Sequence, residues 1–144
     1  MDKLLIGEIL IKRKLITQEQ LNQALDVQKK EGGFVGEILI KLGYIEERDI
    51  VVALVVQCGL PYIAINKYKI DQAVVNLIPK EIAQNEKVIP LDCIGNVLSL
   101  VMTNPLSDEK KAQLEELTKC RIATFIATKS EIEEAIARSY QLKE

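Results

Sequence analysis

Residues 6–28, IGEILIKRKLITQEQLNQALDVQ, recur 29 positions later as residues 35–57, VGEILIKLGYIEERDIVVALVVQ. GEILIK, the isoleucine at 16 and 45, and Ala-Leu at 24–25 and 53–54 stay in register. A duplicated unit too small to bury its own apolar face must pack against its neighbour, and this limits the fold more than composition does. Two helical hairpins joined through residues 29–33 are therefore expected to pair pseudo-symmetrically. Such a pair offers two equivalent half-sites to a two-fold symmetric ligand, or a surface to a partner.

The apolar spacing within each copy is helical. Over residues 4–13, Leu5, Ile6, Ile9 and Leu10 recur at three- and four-residue intervals, leaving Glu8, Lys12 and Arg13 to solvent. Thr17 with Gln20 forms a Thr-x-x-Gln capping box for a second helix, whose inward stripe runs through Leu21, Ala24, Leu25 and Gln28 before Gly32-Gly33 ends it. In the second copy Asn22, Gln23 and Asp26 become Val51, Val52 and Val55, so residues 50–56 are apolar nearly all round. This fourth helix is expected in the middle of the domain. Its β-branched run lowers helix propensity by roughly a few tenths of a kcal/mol per residue, which burial must override.

Beyond Gly59-Leu60-Pro61 the pattern changes. Tyr62, Ile63 and Ile65 suggest an extended linker over residues 61–70. A short helix at 71–77 and another with Pro79 in its first turn come next. Residues 87–93 and 97–103 read as a β-hairpin turned at Gly95-Asn96. Ser107 caps a helix with Ala112, Leu114 and Leu117 inward, residues 122–127 make a third strand, and Thr128 with Glu131 caps a last helix. The expected fold class is α+β: an N-terminal four-helix tandem repeat of two helical hairpins (1–60), the linker (61–70), and a small α+β layer with a three-stranded sheet (71–144).

Composition narrows the function. At 144 residues, 48% hydrophobic and 28% charged, with 19 basic against 21 acidic side chains and no long run of one sign, the chain carries no footprint for a nucleic-acid polymer. Aromatic residues make up only 4% and there is no Trp, so stacking platforms for bases are scarce. Glu8 interrupts the apolar N-terminus and Lys12, Arg13 and Lys14 come after it, which argues against an export signal and against membrane insertion. Three widely spaced cysteines, Cys58, Cys93 and Cys120, point to small buried hydrophobes in a cytoplasmic protein.

No catalytic constellation appears, and the chain is expected not to be an enzyme. Histidine is absent, which removes the commonest general base and leaves zinc only thiolates and carboxylates. No phosphate loop is present. The acidic pairs at 46–47, 115–116 and 133–134 sit among Lys and Arg as solvated faces. No metal or cofactor is expected. Gly7 and Gly36 are more telling, because each sits inside an apolar helical stretch where Gly costs about 1 kcal/mol relative to Ala. Either the helices of the two repeats cross closely there or a ligand lies against the bare backbone. Gln28 and Gln57 end the repeats one turn beyond Leu25 and Leu54. Each amide could meet a purine edge beside a leucine face, or cap its helix.

At these residues the chain resembles the N-terminal domain of the ATPases that drive type II secretion and type IV pilus assembly. The family pattern, roughly Arg-Leu-Gly-x-x-Leu-x-x-x-Gly-x-Ile then Leu-x-x-Ala-Leu-x-x-Gln in tandem, is met by Gly7, Leu10, Ile16, Leu21, Ala24, Leu25 and Gln28. The second copy meets it with Gly36, Leu39, Gly43, Ile45, Ile50, Ala53, Leu54 and Gln57. Cys-Gly-Leu-Pro from 58, Ile-Pro-Lys-Glu-Ile-Ala from 78, Val-Ile-Pro-Leu from 88 and Met-Thr-Asn-Pro from 102 come after them in order.

The resemblance implies a regulatory or protein-docking module that joins a motor ATPase to the cytoplasmic region of an inner-membrane platform protein. In a pilus branch of the family it implies instead a cyclic di-GMP receptor, with Gly7, Leu21, Leu25, Gln28, Gly36, Ile50, Leu54 and Gln57 as half-site residues. That branch carries a basic residue two positions before each glycine. Leu5 and Phe34 stand there in this chain, and Lys14 replaces the later glycine of the first copy. Docking is therefore the expected role and cyclic di-GMP binding the alternative.

Overall fold

A computed structural model describes residues 6–103 and 106–140. The chain divides into two compact units, Met1–Leu60 and Pro61–Glu144. Leu5, expected in the first helix, lies outside the described residues.

The first unit is built on the repeat. It holds α1 (Ile6–Lys12), α2 (Gln18–Glu31), α3 (Val35–Lys41) and α4 (Glu47–Cys58). The expected capping box starts α2: the Gln20 amide donates to the Thr17 hydroxyl at 3.1 Å, and the Thr17 amide donates to Gln20 Oε1 at 2.9 Å. Helix α4 opens on a capping box in the same register, with Glu46 and Asp49 in place of Thr17 and Gln20 and the Glu46 amide donating to Asp49 Oδ2 at 2.8 Å.

α1 packs on α3 and α4, and α2 packs on α3. Exchanging the two copies turns the α1–α4 contact into the α3–α2 contact and leaves α1–α3 unchanged, which is how an isologous pair behaves. The core repeats as well. Ile9 and Ile38, Leu10 and Leu39, Ile16 and Ile45, Leu21 and Ile50, and Ala24 and Ala53 are buried in both copies.

Two expectations for this unit fail. Leu25 is 37% exposed, whereas its counterpart Leu54 is completely buried. Helix α4 does not lie in the middle: Val52, Val55 and Val56 are 43%, 37% and 58% exposed. Ile50, Ala53 and Leu54 share one flank at helical spacing and fill the core, which leaves the three valines on the opposite flank.

The second unit contains a 3₁₀ turn (Ile65–Lys67), α5 (Gln72–Val75), α6 (Lys80–Glu86), β1 (Val88–Ile94), β2 (Val97–Met102), α7 (Asp108–Thr118), β3 (Arg121–Ile126) and α8 (Lys129–Ser139). The sheet order is β1-β2-β3, antiparallel between β1 and β2 and parallel between β2 and β3. Ile94 faces Val97 across a two-residue turn at Gly95-Asn96, where Gly95 supplies the left-handed φ of 62° that such turns need at their first position. The β1–β2 register slips between Pro90 and Asp92, leaving Leu91 as a bulge. Leu98, Leu100, Met102, Ile122 and Ile126 are buried from the sheet, and Ile132, Ala135 and Ile136 from α8.

Residues 61–70 are bound into this unit rather than linking it. The Ile126 amide donates to the Pro61 carbonyl at 2.8 Å and the Ile63 amide to the Ile126 carbonyl at 2.9 Å, so Tyr62 pairs in parallel just at the end of β3. A strand edge left with unpaired amides captures this extended, β-prone stretch. Side chains of α8 fasten the same segment from the other direction. Tyr62 donates to Glu131 at 2.7 Å, Asn66 to Glu134 at 2.9 Å, and Arg138 to Asn66 at 2.9 Å. The Tyr140 hydroxyl reaches the Ile78 carbonyl at 2.7 Å.

Three local expectations also shift. Pro79 is the N-cap of α6 rather than part of its first turn, and α5 spans only Gln72–Val75. On α7 Leu114 is buried, but Ala112 and Leu117 are exposed. The inner stripe of α7 runs instead through Leu114 and Thr118, whose hydroxyl donates to the Leu114 carbonyl at 2.8 Å.

Candidate functional site

The residues singled out by the repeat occupy unequal places. Gly7 and Gly36 are buried on α1 and α3. A β-carbon at Gly7 would fall 2.7 Å from Leu21 Cδ1, so the bare backbone admits a side chain of α2 from the same copy, not a helix of the other repeat. Leu21, Ile50 and Leu54 are core residues, whereas Leu25 faces solvent. The half-buried Gln28 donates its amide to the Gly33 carbonyl at 2.9 Å and so fastens the turn between the copies. The Gln57 side chain lies outside the described residues, although its backbone is in the last turn of α4.

Lys14 keeps the geometry of the glycine it replaces. Its φ of 64° matches the left-handed φ of 85° at Gly43, the equivalent residue of the second copy. Both residues close their helix, with Lys14 and Gly43 amides donating to the Ile11 and Ile40 carbonyls at 2.8 and 3.0 Å.

Three features escaped the sequence. The Tyr44 hydroxyl, from the second copy, donates to Gln23 Oε1 of the first. Arg13 Nε and Glu37 Oε2 are buried atoms that make no hydrogen bond among the described residues. The third is the apolar flank of α4. Val52 and Val55 are exposed where the first copy carries exposed Gln23 and Asp26, so the substitution from polar to apolar was not made for the core. The cysteines differ from expectation as well: Cys58 is exposed, and Cys93 and Cys120 are half-buried.

The acidic side chains of α8 are engaged structurally. Glu133 accepts from Lys87 at 3.1 Å and pairs with Lys129 at 3.3 Å. Burial draws its pKa upward, but the two lysines outweigh that and hold it below the usual carboxylate range. Glu115 accepts from the Ile122 amide at 3.0 Å, joining α7 to β3. Among the described residues no three His, Cys, Asp or Glu side chains gather where they could hold a metal ion. No described helix is long and apolar enough to cross a membrane.

Comparison with known proteins fits this architecture. The chain is 34% identical to the type IV pilus assembly ATPase PilB of Myxococcus xanthus (strain DK1622), over 96% of the chain but only 24% of that protein. It thus spans about a quarter of the curated relative. The solved structure of MshE with cdg, cyclic di-GMP, is 27% identical with a TM-score of 0.71, covering 96% of this chain and 100% of that one. The N-terminal domain of XpsE shares the fold at 20% identity with a TM-score of 0.78, covering 96% and 98%. The MshEN domain matches residues 58–144, which is the second unit and the end of α4. By that match the chain belongs to the MshEN domain family, the N-terminal domain of type II secretion and type IV pilus ATPases of the PilB, MshE and XpsE kind.

Proposed function

We propose that the chain is a non-enzymatic, cytoplasmic docking and regulatory module of a secretion or pilus motor, which engages the cytoplasmic region of an inner-membrane platform protein. The observation that carries this reading is the valine flank of α4. Val52, Val55 and Val56 are exposed on a copy whose partner copy presents Gln23 and Asp26 at the first two of those places. Exposed apolar side chains at helical spacing suit a helix or groove of a protein partner. Replacing Val55 and Val56 by Asp should weaken capture of the platform region at least tenfold, about 1.4 kcal/mol, in a pull-down or calorimetric titration. Unchanged capture by a folded variant would rule out this face.

The second reading is a cyclic di-GMP receptor. It is supported by the exchange symmetry of the helix contacts, by the likeness to MshE with cdg, and by Arg13, whose Nε is an unused cationic donor. Against it stand Leu5 and Phe34, since each missing charge-assisted contact costs about 1.5–3 kcal/mol, ten- to a hundredfold in affinity. Calorimetry with cyclic di-GMP decides the matter. Heat that disappears in Gln28→Ala or Arg13→Ala would establish the receptor, and silence up to several hundred micromolar would retire it.

A further inference from the structure

Cys93 Sγ and Cys120 Sγ lie 3.8 Å apart although 27 positions separate them in the chain. Cys93 is the last residue but one of β1, and Cys120 joins α7 to β3. Both are half-buried and free, so a small oxidant reaches them. Each sulfur also has a backbone neighbour: Gly95 O lies 3.6 Å from Cys93 Sγ and Thr118 O 3.4 Å from Cys120 Sγ. These contacts hold the two thiols side by side at the open end of the sheet.

We propose that Cys93 and Cys120 form a redox modification site, a dithiol that a hydroperoxide converts into an intramolecular disulfide and a small-molecule thiol restores. One thiolate attacks the peroxide O–O bond and becomes a sulfenic acid, and the leaving hydroxide takes up a proton as water. The other thiolate attacks the sulfenic sulfur, forms the S–S bond and expels a second hydroxide, which also leaves as water. Two thiols and one hydrogen peroxide thus give one disulfide and two waters.

Closing the gap to the length of a disulfide takes about 1.8 Å of movement. The hairpin end can supply it, because Ile94 is 74% exposed and only the Gly95-Asn96 turn lies beyond it. Burial, reinforced by the contact with Cys120, pushes the Cys93 thiol up, which slows its attack on peroxide because only the thiolate reacts. In a reducing compartment such a bond would be transient, as sensing disulfides are.

The test oxidises the reduced whole chain with hydrogen peroxide. Titratable thiols should fall from three to one, the mass should drop by about 2 Da as two hydrogens leave, and a peptide map should join the segments holding Cys93 and Cys120, all reversed by dithiothreitol. Cys58→Ser should leave the cross-link intact. Cys93→Ser and Cys120→Ser should each stop at a sulfenic acid that dimedone traps. Persistence of all three thiols, or disulfides formed only through Cys58 between chains, overturns the proposal. Should a single variant fail to fold, the peptide map of the unsubstituted chain decides alone.

Discussion

Gly7 and Leu21 meet as bare backbone against branched side chain: a β-carbon on Gly7 would sit 2.7 Å from Leu21 Cδ1 and 3.1 Å from Cδ2. Alanine at position 7 would gain about 1 kcal/mol of helix propensity but force a buried leucine off its rotamer, at about 1–3 kcal/mol. Gly7→Ala is therefore expected to lower stability by about 1 kcal/mol in urea unfolding. In a Leu21→Ala background the same substitution should become neutral or stabilising, since the space it needs is then open. Additive effects in that double-mutant cycle would contradict the contact.

Lys14 is the next place where the two copies invite substitution. A residue with a β-carbon at a φ of 64° pays about 1–2 kcal/mol that glycine does not, and glycine returns about half of this through a freer unfolded chain. Lys14→Gly is expected to raise stability by about 0.5–1 kcal/mol, and Gly43→Lys to lower it by a similar amount. Thermal denaturation of both variants checks the pair. A loss on Lys14→Gly would mean that the lysine side chain has a structural role of its own.

The equivalence of the copies ends at Leu25 and Leu54. Leu54→Ala should cost about 2–5 kcal/mol, as truncation of a buried leucine does, whereas exposed Leu25→Ala should cost less than about 1 kcal/mol. Denaturant midpoints of the two variants measured side by side give the ratio. Equal losses would place Leu25 in the core.

Tyr62 makes stability depend on alkaline pH. Its hydrogen bond to Glu131, then burial and the charge of that carboxylate, push the phenol from 10.0 up to about 12. The folded chain thus holds a proton that the unfolded chain releases near 10. The stabilisation is whole below pH 10 and is lost as the pH climbs from 10 through 12. Tyr62→Phe should lower the urea midpoint at about pH 8 and converge with the parent by about pH 12. A gap of constant size across that range would mean that the hydroxyl is not titrating against Glu131. Tyr140, raised by burial, titrates in both proteins and leaves the comparison intact.

The parts legible in the sequence are those governed by neighbours a few residues apart. Thr17 with Gln20 and Thr128 with Glu131 cap α2 and α8 as their spacing requires, and Gly95 turns the hairpin. The repeat extended that reach, because one copy's helix argues for the other's even through the β-branched run 51–56. Orientation was not legible. An apolar run marks a helix as wanting cover without saying whether core or partner supplies it, and so the pattern points Val52, Val55 and Val56 inward although they are exposed. On α7, residue type alone points Leu117 inward, but Leu114 and Thr118 are the residues the fold buries. Contacts that join distant segments, Cys93 with Cys120 or Pro61–Ile63 with Ile126, leave no mark in local spacing. Of the candidate half-sites, the family pattern supplied positions such as Gly7 and Gln28, but their partners, Leu21 and the Gly33 carbonyl, emerged only from the fold.

Both margins of the three-stranded sheet are spoiled as templates for a further chain. Pro61 and Ile63 occupy the amide and the carbonyl that β3 would otherwise offer at Ile126, while on the opposite margin Pro90 lacks an amide hydrogen and Leu91 breaks the ladder. Edge-to-edge pairing is thereby hindered at the Ile126 end of β3 and at the bulge of β1. A segment that sequence alone would treat as a tether thus blunts the exposed end of an edge strand.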